Sequence, residues 1–292
     1  LTTEGALTNG WFGSAVISAG TGAKLAVTSN LKSGANTIQA FNGFAAENLG
    51  TTWAVPLFTA RLANGLNTPV TVQNLSGGQI SMSGIQLKCV KDLASPGTNF
   101  SKYNSVALPN NGSYSFNPYT DTSIPTGWFG ACQVIASGNV VVFVQMRNIG
   151  GTGNPDNAAA YEAMRGNGVG KVAIFPLIQK RLVDGSATAV TIQNLSASTA
   201  HLTFYYMASG NAPSFAVGPC AIAGNASVIH NHRVTDPNTT NCPLTNPTMP
   251  DSWQGSLVVT SSDQPIDGFI QLTNINNLAG DTLMAHNANT SP

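Results

Sequence analysis

An internal repeat restricts this chain more than any other feature of its sequence. Val55 to Ser76 reads VPLFTARLANGLNTPVTVQNLS, and Phe175 to Ser196 reads FPLIQKRLVDGSATAVTIQNLS. The two align without a gap at an offset of 120 residues, with Pro56/Pro176, Leu57/Leu177, Arg61/Arg181, Leu62/Leu182, Gly65/Gly185 and Thr68/Thr188 coinciding. A second motif occurs three times, as Trp11-Phe12-Gly13-Ser14, Trp128-Phe129-Gly130-Ala131 and Trp253-Gln254-Gly255-Ser256. Each copy runs into a β-rich stretch, a turn and another strand, and the dipeptides Ile38-Gln39, Val144-Gln145 and Ile270-Gln271 read as equivalent points on that later strand. A chain built this way folds as successive modules of about 120 residues, each obeying the same local rules.

Those rules are strand rules. VTVQNL and VTIQNL alternate branched apolar and polar residues with a period of two, the pattern of a half-buried strand. Asn64-Gly65, Asp184-Gly185 and Pro109-Asn110-Asn111-Gly112 supply turn chemistry between such runs. Helical periodicity is nearly absent; Asn157 to Arg165, NAAAYEAMR, has room for two turns at most. Short strands at close spacing predict an all-β chain of tandem β-sandwich modules. Boundaries fall at 1–50 (a half module), 51–168 and 169–292. Residues 8–49 match only the second half of a module and supply about three strands, with apolar positions at Ala15, Val16, Ile17, Leu25, Val27, Ile38 and Phe41. Such a half sheet leaves edge N–H and C=O groups open.

The run W-x-G-S-[AL]-V-[IV]-[ST], followed by a strand, P-L and T-x-V-T-[VI]-Q-N-L-S, resembles the Ig-like tandem repeat modules of secreted surface and filament proteins of filamentous bacteria. The likeness extends over essentially the whole chain and rests on packing residues. It implies Ig-like sandwiches in an adhesin, a sheath, an extracellular filament or the non-catalytic tail of a secreted enzyme. Asp263-Gln264-Pro265-Ile266 fits the family's turn before its second strand, whereas Ala136-Ser137-Gly138-Asn139 and Gly20 to Lys24 depart from it.

Chemistry-bearing constellations are missing. Three Glu and nine Asp are scattered singly, so no pair stands out as a glycosidase acid and nucleophile. His230-Asn231-His232 places two imidazoles on one strand face, but no third ligand lies near in sequence, and the pair reads as an exposed strand face. Gly166 to Lys171, GNGVGK, imitates a phosphate loop but has Arg165 where the first Gly belongs and Val172 in place of Ser or Thr, so it reads as a linker. The expectation is no catalytic residue, no metal and no cofactor. Trp11, Trp128 and Trp253 read as core anchors.

Cys89 and Cys132 fall in the first complete module, Cys220 and Cys242 in the second. Two per module suggests one local bridge in each, Cys89–Cys132 and Cys220–Cys242, in an oxidising compartment. N-x-S/T sequons at Asn74, Asn99, Asn111, Asn194, Asn225, Asn238 and Asn289 are candidate glycosylation sites, though in a chain this rich in Asn, Ser and Thr most arise by chance. Only 8% of residues are charged and the formal balance is zero, against roughly 25% charged in an ordinary soluble domain. Without clustered Lys and Arg there is no nucleic-acid surface, and no apolar run is long enough to span a bilayer. A coat of small polar groups with no net repulsion suits a secreted or cell-surface, self-assembling protein. The expectation is a structural subunit of an extracellular filament, sheath or surface assembly, a homopolymer joined head to tail by β-strand complementation; the alternative is a cell-surface adhesin that binds glycan.

Overall fold

A computed structural model describes residues 13–33, 37–45, 48–148, 157–165, 170–234, 242, 249–276 and 283–291. The chain is all-β, and no α-helix occurs among the described residues. A hairpin of β1 (Thr28–Ser33) and β2 (Thr37–Asn42) comes first. It is followed by β3 (Gly50–Ala60), β4 (Leu66–Asn67), β5 (Val70–Asn74), β6 (Ile85–Lys91), β7 (Phe100–Tyr103), β8 (Ser113–Phe116), β9 (Trp128–Asn148), β10 (Ala158–Glu162) and β11 (Met164–Arg165). The remainder is β12 (Val172–Lys180), β13 (Ser186–Asn194), β14 (Ala200–Ala208), β15 (Phe215–Ile222), β16 (Ser227–Asn231), β17 (Trp253–Ser261), β18 (Ile266–Asn274), β19 (Leu283–Asn287) and β20 (Asn289–Ser291).

Residues 172–291 form two antiparallel sheets, β15-β14-β17-β12-β20 and β16-β13-β18-β19. Both contribute to one core, with Phe175, Phe204 and Leu257 from the first sheet meeting Val190, Ile192 and Ile266 from the second. Residues 50–165 follow the same path. The first part of β9 pairs with β3 and β6, and its second part with β5 and β10. The 21-residue β9 therefore does the work that β17 and β18 share. At the crossing the Leu75 N–H donates to the Asn139 carbonyl, as the Leu195 N–H donates to that of Pro265. Pro265 has no N–H for a ladder, so the second copy breaks into two strands where the first continues.

Local sequence explains the shared details. The ladder of β3 on β9 shifts register between Val55 and Phe58, and that of β12 on β17 between Phe175 and Ile178; Pro56 and Pro176, lacking a donor, sit at the two irregularities. In the Trp-x-Gly motif, Trp128 and Trp253 are fully buried and donate from Nε1 to the carbonyls of Thr98 and Pro213, both at 3.0 Å. The glycine is required: a Cβ on Gly130 would lie 2.3 Å from the Val90 carbonyl oxygen, and one on Gly255 2.1 Å from that of Met207. Trp11 lies outside the described residues.

Two expectations are corrected here. Ala158–Glu162 and Met164–Arg165 are strands, not helical turns, because five backbone partners on β9 and a fully packed environment outweigh the helix preference of alanine. The segment before β3 holds two strands among the described residues, not three. Ala15, Val16, Ile17, Leu25 and Val27 lie in no strand, with Val16 and Ile17 each 58% exposed and Leu25 54%. Their counterparts in β9, β17 and β18 are held between two neighbouring strands, and no described strand takes either place beside residues 13–26. Ile38 and Phe41 do lie on a strand, β2.

Candidate functional site

The outer face of β13 and β18 does not meet solvent. Thr191, Gln193, Phe269 and Gln271 point away from their own core and are buried against residues 50–165. Gln193 Nε2 donates to the Cys132 carbonyl at 3.1 Å and to that of Asn225 at 3.2 Å. Gln271 Nε2 contacts Met146 Sδ at 3.3 Å, and Asn287 Nδ2 donates to the Glu162 carbonyl at 3.0 Å. Phe269 stacks on Tyr161, ring centroids 4.5 Å apart and planes within 12°. Leu195, Phe269 and Leu283 belong to the core of 50–165 although they lie far along the chain. Burial raises the Glu162 carboxyl above its ordinary range, and it brings Asp267, on β18, up to about 6.

The N-terminal hairpin makes a comparable contact one step earlier. Phe41 packs on Phe143 with centroids 4.1 Å apart, and Gln145 Nε2 donates to Gln39 Oε1 at 3.3 Å. Register identifies the equivalence. Phe41 pairs with Ser29, Tyr161 with Val144 and His286 with Ile270. The N–H groups of Gly43, Ala163 and Ala288 bond to the carbonyls of Val27, Val142 and Gly268. So β2, β10 and β19 are the same element, and Ala40-Phe41-Asn42, Ala160-Tyr161-Glu162 and Ala285-His286-Asn287 line one groove of about 340 Å³. This corrects the equation of Ile38-Gln39 with Val144-Gln145 and Ile270-Gln271. The first dipeptide lies on β2, whereas the others lie on β9 and β18, the partners of β10 and β19. An apolar-Gln dipeptide suits any half-buried strand and does not fix a register. The informative signal was the 120-residue offset carried upstream of Val55, where Ala40/Ala160 and Gly50/Gly170 coincide and aromatic Phe41 meets aromatic Tyr161.

The cysteines form two bridges, Cys89–Cys132 between directly opposed residues of β6 and β9, and Cys220–Cys242 from β15. Such bridges persist in an oxidising compartment. Among the described residues no helix is long and apolar enough to cross a membrane, and no group of three His, Cys, Asp or Glu could hold a metal ion.

The histidine pair is not an exposed face. Alternation puts His230 and His232 on the inner side of the sheet, and both are fully buried. His230 Nε2 donates to the Cys242 carbonyl at 3.0 Å, so its Nδ1 accepts from the Tyr206 hydroxyl at 2.6 Å. That hydroxyl accepts from His232 Nε2 at 3.1 Å, leaving His232 Nδ1 beside Thr188 Oγ1 at 3.2 Å. Burial depresses both imidazoles, His230 to about 4, and keeps them neutral. The chain of bonds satisfies buried polar groups.

The sequons divide sharply. Asn74 and Asn194 are buried, and each donates to three loop carbonyls, those of Gly78, Leu108 and Pro109 and those of Ser198, Ile222 and Ala223. No glycan fits there, which removes both as glycosylation candidates; the repeated Asn of Q-N-L-S pins two loops. Asn99, Asn111 and Asn289 are exposed, Asn225 is half-buried and Asn238 lies outside the described residues. No family model matches the chain, and no curated protein matches it.

Proposed function

We propose that this chain is a structural subunit of an extracellular filament, sheath or surface assembly, built from tandem Ig-like sandwich modules and joined head to tail through its N-terminal 50 residues. The observation that carries this reading is the segment 13–26, with Val16, Ile17 and Leu25 exposed and no described strand beside it, next to a hairpin that repeats β18 and β19. Open backbone groups next to exposed Val16, Ile17 and Leu25 are what β-strand complementation from another copy would satisfy. A contact between unlike ends of identical subunits need not close, and an open one gives a filament. Zero net charge removes the repulsion that would oppose stacking. Relation to the surface modules of filamentous bacteria and a cell-surface location fit this reading, as do two disulfides and the absence of a clustered catalytic constellation among the described residues.

Electron microscopy of the purified chain tests it. The intact protein forms filaments and the chain lacking residues 1–49 gives short soluble species, because 50–165 and 172–291 each keep their own core. Filaments of unchanged width and subunit spacing from the truncated chain would defeat the proposal.

A second reading, a glycan-binding adhesin, draws on one feature. A cavity of about 220 Å³ in 50–165 is lined by Tyr103 and Tyr114 beside the Lys102–Asp121 ion pair, 2.9 Å long. Aromatic rings next to a fixed charge pair suit a sugar. Glycan-array binding lost in Tyr103→Ala would favour it.

A further inference from the structure

The contact between 50–165 and 172–291 leaves its own counterpart open at the far side of the molecule. Ala54, Pro56 and Leu57 of β3 are buried beneath the β13–β18 face, Ala54 completely and Leu57 to 6% exposure. Their equivalents on β12 are Ile174, Pro176 and Leu177; Ile174 and Leu177 are each 37% exposed and Pro176 is exposed as well. On the neighbouring edge Tyr161 is stacked and buried, whereas its equivalent His286 is exposed and, among the described residues, no ring stacks on it. Met284 beside it is 61% exposed.

We propose that this side, formed by Ile174, Pro176, Leu177, Met284 and His286, receives residues 13–33 and 37–42 of a second copy, so that β2, β10 and β19 of one chain are followed by β2 of the next. The inference rests on the head-to-tail reading above and names the surface that the N-terminal segment meets. The occupant follows from register. The face that covers Leu57 is made by β13 and β18, and β18 forms a hairpin with β19 whose counterpart at the N-terminus is β1–β2. Thr28 pairs with Asn42 as Phe269 pairs with Asn287, and Ile38 pairs with Lys32 as Leu283 pairs with Thr273. By backbone register, Thr28 therefore takes the place of Phe269 against the next chain. The flanking Val16, Ile17 and Leu25 supply the apolar area that the threonine does not. Interior contacts in this molecule already occur in the order β2 on β10 and β10 on β19, so the added contact continues a row already two steps long.

Sedimentation velocity on the full chain and two variants tests this. Leu177→Asp in the intact chain weakens self-association by at least about tenfold, while Met82→Asp, at a more exposed apolar side chain on 50–165, leaves it unchanged. The chain lacking residues 1–49 keeps the receiving side but has no segment to offer; Leu177→Asp is the reverse. Each alone is monomeric, and a mixture of truncated chain with Leu177→Asp forms 1:1 heterodimers that grow no further. If Leu177→Asp assembles like the unaltered chain while the truncated chain does not, the receiving side is wrong and the N-terminal reading stands. If the truncated chain assembles and Leu177→Asp does not, the occupant is instead the Thr71, Gln73 and Phe143 face of the second copy, and both proposals fail as stated. Monomeric variants that do not form heterodimers also overturn the pairing.

Discussion

Leu57 and Leu177 hold the same place in the repeat, follow the same proline and sit beside the same ladder irregularity, yet one is buried and the other is not. The difference is the neighbour: the β13–β18 face lies on the first leucine, and no described residue takes that place over the second. Burial here is a property of position in the row as well as of the residue. The largest expected effect comes from putting a charge at each place. Leu57→Asp strands a carboxylate in a packed apolar site and costs about 4–5 kcal/mol. In dilute, unassembled protein Leu177→Asp costs less than about 1 kcal/mol, since its side chain reaches water. Urea unfolding followed by tryptophan fluorescence gives both; equal losses would mean the covering face is not what separates the two leucines.

The bridges sharpen the comparison because they are placed differently in the two regions. Cys89–Cys132 closes 43 residues of sequence and Cys220–Cys242 closes 22. By the loop-entropy relation, replacing each pair with alanine costs about 4 kcal/mol for the first and about 3.4 kcal/mol for the second. Calorimetry of the two double variants checks the order, and a larger loss from the shorter loop would show that the chain-entropy account does not apply. Where the regions agree, so do the expected losses. Asn74→Ala and Asn194→Ala each leave three loop carbonyls without their amide donor and cost about 3 kcal/mol apiece. Produced in a glycosylating host, the protein carries no glycan at either residue; modification of Asn74 or Asn194 in peptide mass spectra would contradict their burial.

Much of this was legible in the sequence for a definite reason. Two-residue alternation, Asn-Gly and Asp-Gly turns and the Trp-x-Gly clash rule act within a few residues, so β5, β13 and the buried Trp128 and Trp253 follow from short stretches. The gapless 120-residue offset could be read because packing had preserved it. The row of β2, β10 and β19 was hidden because its members share little beyond alanine and a ring, and their equivalence rests on which carbonyl each N–H reaches. The same limit hid the burial of His230 and His232. One-strand alternation says that two residues share a side, while only the sheet opposite decides whether that side is wet. Asn74 and Asn194 looked like sequons because N-x-S describes three residues, and the carbonyls they hold lie up to 35 residues away.

The smallest effect separates the cores themselves. In 50–165 Thr68 and Thr59 share a buried hydroxyl contact of 2.8 Å. In 172–291 the equivalent Thr188 opens the chain of bonds through His232, Tyr206 and His230. Burial holds His230 near 4, below the 6.5 of a free imidazole, so the unfolded chain binds more protons as the solution is acidified. The stability this group contributes is whole above pH 6.5 and is lost progressively between 6.5 and about 4. At pH 5 the loss is 1.5 units, or about 2 kcal/mol. Asp267 acts in the opposite sense: burial raises its carboxyl to about 6, so the folded state gains protons first and gains stability as pH falls from 6 towards 3.8. The two partly cancel in the unaltered chain, and the informative quantity is a difference. Between pH 7 and pH 5, His230→Gln loses about 2 kcal/mol less stability than the unaltered protein in urea titrations, whatever its own starting stability. An identical pH dependence in the two would mean that the imidazole is charged, or wet, in the folded state.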